Sequence, residues 1–524
     1  MVPLEDYYKG RAKIYTDEKQ INYKNVISVL NDALIYHQKN SEQIRFLLNY
    51  EKGIQPILDR TKNIRSDINE KVAINNASKI TDFKIAYEFG NPITYIQRSK
   101  KQVPESDSDK DDTRITALNE MLFEESKSSK DVELARYFKI CGIGYRMIKA
   151  KPKVYGKSVF DIITLNPATT FIVYSNDIYQ HPMMAVTYCP QKDGNTVYGC
   201  YTDDTYFEID NGTKIINGTD IKTDPKWSIT NGKGVANIPA IIPIVEYVND
   251  HDRMGCFEKV IPIIDAINVV NSDRVNSIAQ SVQNVVWMNN CELPEGVTKL
   301  SSDGVLQTKS PQGVQASVQY LDSKIDQSST QSLDDALMSQ LMEIAGVPQR
   351  QENSGGGSTG SAMNLSSGWQ FAETMALETE SIFEQSERQS IRIMLEIIKK
   401  STDISEEFAD IVNLNISDIM IRFSRNKIYD MATKCNALST LIKTGVDPKH
   451  AIETVSLFTN PQAVYTDSKD SMEKIQKLLT QPKQTASAGN KDPVSNSLDG
   501  NGSNPDKILP DMSDQPQKSP QSQI

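Results

Sequence analysis

The sequence predicts a helix-dominated α+β fold, and three observations carry that expectation. Apolar residues recur at helical spacing through most of residues 1–100 and again after 256. Between 143 and 248, short runs rich in Val, Ile, Thr, Tyr and Phe alternate with turn residues. From Gln481 the chain is Gln, Pro, Ser, Asn and Asp with few large apolar groups, so residues 481–524 are expected to be a disordered tail. A chain of 524 residues has room for two to four packed units, at about 100–200 residues each.

The elements follow in order. Residues 26–34 and 44–48 have helical spacing, and 74–89 place Ile74, Ala77, Ile80, Phe83, Ile85 and Tyr87 mostly on one face, with Gly90 and Pro92 as the stop. KQVPESDSDKDDTR (101–114) reads as a charged loop, and helical spacing resumes over 115–139. Cys141-Gly142-Ile143-Gly144 reads as a tight turn into a strand. The runs VFDIITL, TTFIVYS, MMAVTYC, TVYGCYT and TYFEID then form hairpins, with turns at Asp193-Gly194, Asn211-Gly212 and Asn217-Gly218. Next, Phe257, Val260, Ile261, Ile264, Ile267, Val275, Ile278, Val282 and Val285 define one face of a helix over 257–286. Its other face carries Asn268, Ser272, Asn276, Ser277, Gln280, Ser281, Gln283 and Asn284, and no charge separates Arg274 from Glu292. Such a face suits either a packing surface between neighbouring subunits or a water-filled wall. Residues 287–330 read as short strands and turns. Ser332 with Asp335 resembles a capping box opening a helix striped by Leu333, Leu337, Leu341 and Ile344, which Gly346 and Pro348 close. A long glycine-rich loop (349–368) between two helices is often functional. The helix after it, 369–400, is the longest element, on the order of 48 Å. A strand at 416–423 and helices at 428–443, 448–457 and 468–480 complete the order.

Composition narrows the function. The chain is 38% hydrophobic and 24% charged, a globular balance. Its longest apolar run, 238–244, holds two prolines, well short of the roughly 18 apolar residues of a membrane span, so no membrane partner is expected. MVPLEDYYKG carries acids where a secretory signal needs an apolar core, which points to a soluble protein made in a cytoplasm. A net charge of −11 argues against gripping DNA with a basic outer face. It is compatible with a conduit whose wall repels phosphate, and equally with an ordinary acidic protein.

Motifs for chemistry are scarce. The six cysteines (141, 189, 200, 256, 291, 435) form no C-x-x-C pair, and the four histidines (37, 181, 251, 450) are scattered, so no metal is expected. ESDSDKDD (105–112) lacks the glycine and distal glutamate of a calcium loop. Gly355 and Gly360 have P-loop spacing, but Ser361-Ala362 stand where the phosphate-binding lysine belongs. There is no G-x-S-x-G and no H-E-x-x-H. No catalytic residue, cofactor or metal is assigned, and the expectation is a structural protein rather than an enzyme. A metal-dependent nuclease using unrecognised carboxylates is the distant alternative.

Several segments in shared order resemble the portal proteins of long-tailed phages of Gram-positive hosts: YEKGIQPILDR (50–60), INNASKITDFKIAYEFGNPITY (74–95), TLNPATTFIVYSNDIYQHPMMAVTY (164–188), IPAIIPIVEYVNDHDRMGCFEKVIPIIDAINVVNSDRVNSI (238–278) and Ile421 to Asn426. The likeness covers most of 44–465. It departs at Met254-Gly255-Cys256 and at Gly360 to Met363. The resemblance implies a portal fold: an N-terminal and wing region (1–256), a first stem helix (257–286), a clip (287–331), a second stem helix (332–348), a tunnel loop (349–366), a spine helix with a wing strand (367–426) and a helical crown (427–480). It implies a ring of twelve subunits at the capsid portal vertex of the virion, assembled in the host cytoplasm with capsid and scaffolding proteins. DNA would be packaged and ejected through it. The clip would dock the large terminase ATPase and later the head–tail adaptor through Glu292, Glu295, Lys299, Asp303 and Lys309. The tunnel loop would face double-stranded DNA with Gln349, Arg350, Gln351, Asn353, Ser354, Gly355, Gly356, Gly357, Ser358, Thr359, Gly360 and Ser361. Asn268, Ser272, Asn276, Gln280 and Gln283 would line the stem lumen or a subunit interface. Another head–tail collar protein is the nearer alternative.

Overall fold

The computed structural model describes residues 10–63, 66–98, 113–151, 158–220, 228–230, 235–237, 241–282, 285–290, 315, 317–321, 327–349, 368–401, 404, 406–425, 431–455, 457–458, 464–465 and 467–472. The chain divides into two units, 1–466 and 467–524. In the second unit, 467–472 are helical, overlapping the start of the helix expected at 468–480.

The first unit is built on two adjoining cores. Strand β1 (Ile14–Thr16) enters first, followed by helix α1 (Val26–Glu51). The two stretches of helical spacing form one helix of 26 residues, about 39 Å long. That length lets α1 serve both cores. Its first half gives Val26, Val29, Leu30 and Ala33 to the smaller core, and its second half gives Ile44, Leu47 and Tyr50 to the larger.

The smaller core lies under a six-stranded sheet of order β1-β5-β6-β7-β8-β9, where β5 is Thr170–Ser175, β6 Pro182–Pro190, β7 Thr196–Tyr201, β8 Thr205–Asp210 and β9 Lys214–Asp220. β1 is parallel to β5 and the remaining neighbours pair antiparallel, as a run of hairpins must. Gly194, Asn211 and Gly212 take positive φ at two of the expected turns. The third is corrected: Asn217 and Gly218 lie inside β9, opposite Glu208 and Phe207, because the β8 ladder overrides the local turn preference.

The larger core gathers helices α2 (Asn76–Phe89), α3 (Thr113–Glu124) and α4 (Lys127–Cys141) around three strands, β3 (Ile143–Ala150), β4 (Phe160–Leu165) and β10 (Ile244–Val248). Their order is β10-β3-β4. Asn75 caps α2 by accepting from the Ser78 amide. The helical spacing over 115–139 is carried by two helices, α3 and α4, with a break where Ser126 adopts φ +52°. Gly142 makes the expected tight turn at φ +79°; a Cβ there would lie 2.1 Å from the Arg253 carbonyl oxygen. A short strand β2 (Thr94–Gln97) pairs with Ile419–Arg422, which follows a 3-10 turn over Ile416–Asp418.

Three later boundaries also differ from expectation. The helix after 256 is α5, Ile261–Val282, preceded by a 3-10 turn at Glu258–Val260, and Val285 belongs to a strand. Helix α6 spans Gln327–Ala345, so Ser332 is interior, its hydroxyl donating back to the Ser328 carbonyl at 3.1 Å. Helix α7 is Trp369–Lys400, as the spacing predicts, opened by Gly368 at φ +82°. Helices Met431–Lys443 and Pro448–Val455 follow.

Candidate functional site

Two arms of the chain leave the larger core together. One is α5 followed by the strand Val285–Asn289; the other is the strand Ser317–Leu321 followed by α6. The strands pair antiparallel from Val285↔Leu321 to Asn289↔Ser317, which sets the helices side by side. Asn271 donates to Asp334 at 2.9 Å, and Arg274 reaches the same carboxylate at 3.8 Å. At the root, Ile264 and Ile267 meet Leu341, Met342 and Ala345 in the core. Farther out the apolar stripe continues with little to cover it. Val275 is 40% exposed and Ile278 57%, and Leu333 on α6 is half exposed, as is Ile344 at the root.

The polar side of α5 goes the other way. Asn268, Ser272 and Asn276 are buried, bonded to the main chain of Glu70, Val72 and Ile74. They are taken up inside the chain, which leaves them neither lumenal nor free for a neighbour. Gln280 is exposed on the same helix. Gln283 lies outside the described residues.

On one side of the glycine-rich segment, the Gln349 side chain donates to the Ser339 carbonyl at 2.7 Å. On its other side, a Cβ on Gly368 would sit 3.9 Å from the Pro348 Cα, so the two flanking residues lie close together. Gly346 is at φ +67°, and a side chain there would strike the Met375 sulfur at 2.3 Å. Of the residues expected to face DNA, Arg350, Gln351, Asn353, Ser354, Gly355, Gly356, Gly357, Ser358, Thr359, Gly360 and Ser361 lie outside the described residues. So do Glu292, Glu295, Lys299, Asp303 and Lys309.

Helix α7, which follows that segment, is fastened to the body by charge. At its start, Trp369 packs on Phe83 and Tyr87, and Arg425 pairs with Glu373 at 3.0 Å and with Glu380. Burial raises the Glu380 carboxyl to about 7 despite Arg425. At its middle, Glu387 is fully buried and accepts from Arg146 at 3.0 Å, Lys127 at 3.1 Å, Tyr95 at 2.9 Å and Tyr247 at 2.8 Å. Asp131 completes the cluster, 2.5 Å from Arg146 and 2.7 Å from Lys127. Burial pushes the Glu387 carboxyl up, but Lys127 and Arg146 outweigh it and pull it down to about 2. Sequence reading missed this cluster. Lys127 and Asp131 resemble a solvated i,i+4 pair, and nothing local links either to residues 146 or 387.

The strongly perturbed groups therefore serve packing. Glu246 is likewise buried, and Arg253 holds it below the usual carboxylate range while Tyr145 and Tyr174 donate to it. Among the described residues, no group of three His, Cys, Asp or Glu side chains is placed to hold a metal ion. No described helix is long and apolar enough to cross a membrane. What the arrangement offers is a projecting, rigidly rooted helix pair with apolar side chains left open.

A family model described as phage portal protein, SPP1 Gp6-like, matches residues 3–487. No curated protein matches the chain.

Proposed function

We propose, from the premise that the chain belongs to the phage portal protein family of the SPP1 Gp6-like kind, that copies of it close into the ring through which double-stranded DNA enters and leaves the capsid. A portal protein is a structural part of the head–tail connector of a tailed phage, and its family is not one of enzymes. In the finer reading, the α5–α6 hairpin is the stem, 287–331 the clip that docks the terminase motor and then the head–tail adaptor, 349–366 the tunnel loop and 427–480 the crown. Twelve copies, seated among capsid and scaffolding proteins, would complete the vertex.

The observation that carries this reading is the hairpin's uncovered apolar side. Val275, Ile278, Leu333 and Ile344 stand half exposed on two helices that project from the core. Burying such surface contributes roughly 25 cal/mol per Å². Contacts between unlike faces of successive copies close into rings. A net charge of −11 suits a channel that must let phosphate slide past.

Native mass spectrometry and negative-stain imaging of the purified chain test it. The expected species is a large closed ring with an axial hole, and Ile278→Asp should reduce it to small species. Rings of Ile278→Asp at the wild-type assembly concentration would refute the stem contact. A wild-type chain that stays monomeric even with scaffold and capsid protein would refute the ring.

A further inference from the structure

The outer half of α5 buries its polar side and exposes its apolar one, and residues 70–74 are the reason. They belong to no helix or strand. Their main-chain groups are bonded to side chains instead. The Glu70 amide donates to Asn276 Oδ1 at 2.7 Å, and its carbonyl accepts from Asn276 Nδ2 at 3.0 Å. The Val72 amide donates to Ser272 Oγ at 2.9 Å, and its carbonyl accepts from that hydroxyl at 3.4 Å. The Ile74 amide donates to Asn268 Oδ1 at 2.8 Å, while Asn268 Nδ2 donates to Gln55 at 2.5 Å.

The spacing explains why three rungs fit. Four residues of α-helix advance about 6 Å, and two residues of extended chain about 6.6 Å. Positions 268, 272 and 276 therefore meet alternate residues 74, 72 and 70 in antiparallel order. An Asn amide carries one acceptor and two donors, and a hydroxyl can do both jobs, so each rung answers a peptide group as a neighbouring strand would. Toward residues 70–74 the ladder touches only main chain, and Asn268 turns its remaining donor to the Gln55 side chain.

We infer that Asn268, Ser272 and Asn276 are positioning residues that set the rotation of the stem helix, and so keep the outer part of its apolar stripe, Val275 and Ile278, uncovered for the next copy. The inference rests on the ring reading above. At about 100° per residue, the rungs lie about 100° around the helix from the line through Ile264, Ile267, Val275 and Ile278. An amphipathic helix without the rungs would roll its apolar stripe toward the body. With them, Val275 and Ile278 stay outside. The flanking pairs of Arg60 and Lys62 with Asp273, at 2.8 and 3.8 Å, are half exposed and screened by water, so they cannot replace the ladder.

The test uses the full chain carrying Ser272→Val with Asn276→Leu, which removes the hydrogen bonds, and Ser272→Thr, which matches valine in shape and keeps the hydroxyl. Amide exchange at residues 70, 72 and 74 reports the ladder, and native mass spectrometry reports assembly. The double variant should lose protection at 70 and 72 with unchanged far-ultraviolet circular dichroism, and should need at least about tenfold more protein to form rings. Ser272→Thr should match the wild type. Should the double variant fail to fold, Ser272→Val against Ser272→Thr decides alone. Lost protection with rings at the wild-type concentration would overturn the inference, as would retained protection. Ile278→Asp separates the two levels. If it breaks rings while the ladder variants do not, the positioning role fails and the stem contact stands; if it too leaves rings intact, the stem contact is what fails.

Discussion

Replacing Glu387 by glutamine removes one buried charge and almost no volume. Arg146 and Lys127 would then share Asp131 alone. The new amide would also turn an NH₂ toward a site where four donors already converge. Removing one member of a buried ion pair costs about 3–5 kcal/mol. The carboxyl's own titration points the same way: burial pushes it up, and the cations of Lys127 and Arg146 outweigh burial and pull it down to about 2. The loss is a large share of a typical folding margin of about 5–15 kcal/mol. Urea unfolding of both chains at pH 7 and equal protein concentration reads it as a lower midpoint at unchanged slope. The pH dependence has a definite sign. The folded value is depressed, so the stabilisation is complete above the unfolded value of 4.5 and fades as pH falls toward 2. Wild-type and variant midpoints should therefore converge over that interval. A cost below about 1 kcal/mol at neutral pH, or a gap that persists to pH 2, would refute the cluster as a set of paired charges.

Two further outcomes follow from the same kind of argument. His37 is buried, stacked 4.4 Å from Phe171, and bonded to the Ala168 carbonyl, and burial lowers its imidazole from 6.5 to about 4. Its neutral form is the one the fold accepts, so its contribution is complete above pH 6.5 and lost as pH falls toward 4. His37→Phe keeps the stack and should flatten the stability curve over that window; a curve parallel to the wild type would refute the assignment. Gly142→Ala forces a side chain into the left-handed region, costing about 1–2 kcal/mol, and places its Cβ 2.1 Å from backbone oxygen that cannot step aside. The variant should be insoluble or melt several degrees lower, and a thermal midpoint within about 2 °C of wild type would show that the turn relaxes.

How much of this was legible in the sequence depends on where the cause of each feature lies. Helix α7 was placed to the residue because its signals are local: dense apolar spacing begins at Trp369, directly after a glycine that adopts φ +82°. The turn at Gly142 was legible for the same reason. Where the cause is distant, local signals misled. Ser332 and Asp335 have the look of a cap, but α6 begins at Gln327, one turn earlier, close behind the strand pair that joins the two arms. Asn217-Gly218 has the look of a turn, but β8 offers a ladder and the pair extends it.

The charge cluster and the stem ladder are illegible for a deeper reason. Glu387 is 241 residues from Arg146 and 256 beyond Asp131, and each charge alone resembles an exposed residue on an amphipathic element. Only the completed core brings the charges within 3 Å or so, and only then does burial make them count. The stem's polar stripe was visible as a stripe, with Asn268, Ser272 and Asn276 at four-residue steps. Its partner was not, because the three rungs bind amides and carbonyls that every residue except proline supplies. Glu70, Val72 and Ile74 share no side-chain property that would mark them as a binding strand. A lumen, a subunit interface and an intramolecular ladder ask for the same polar stripe, and only the position of the chain around it tells them apart.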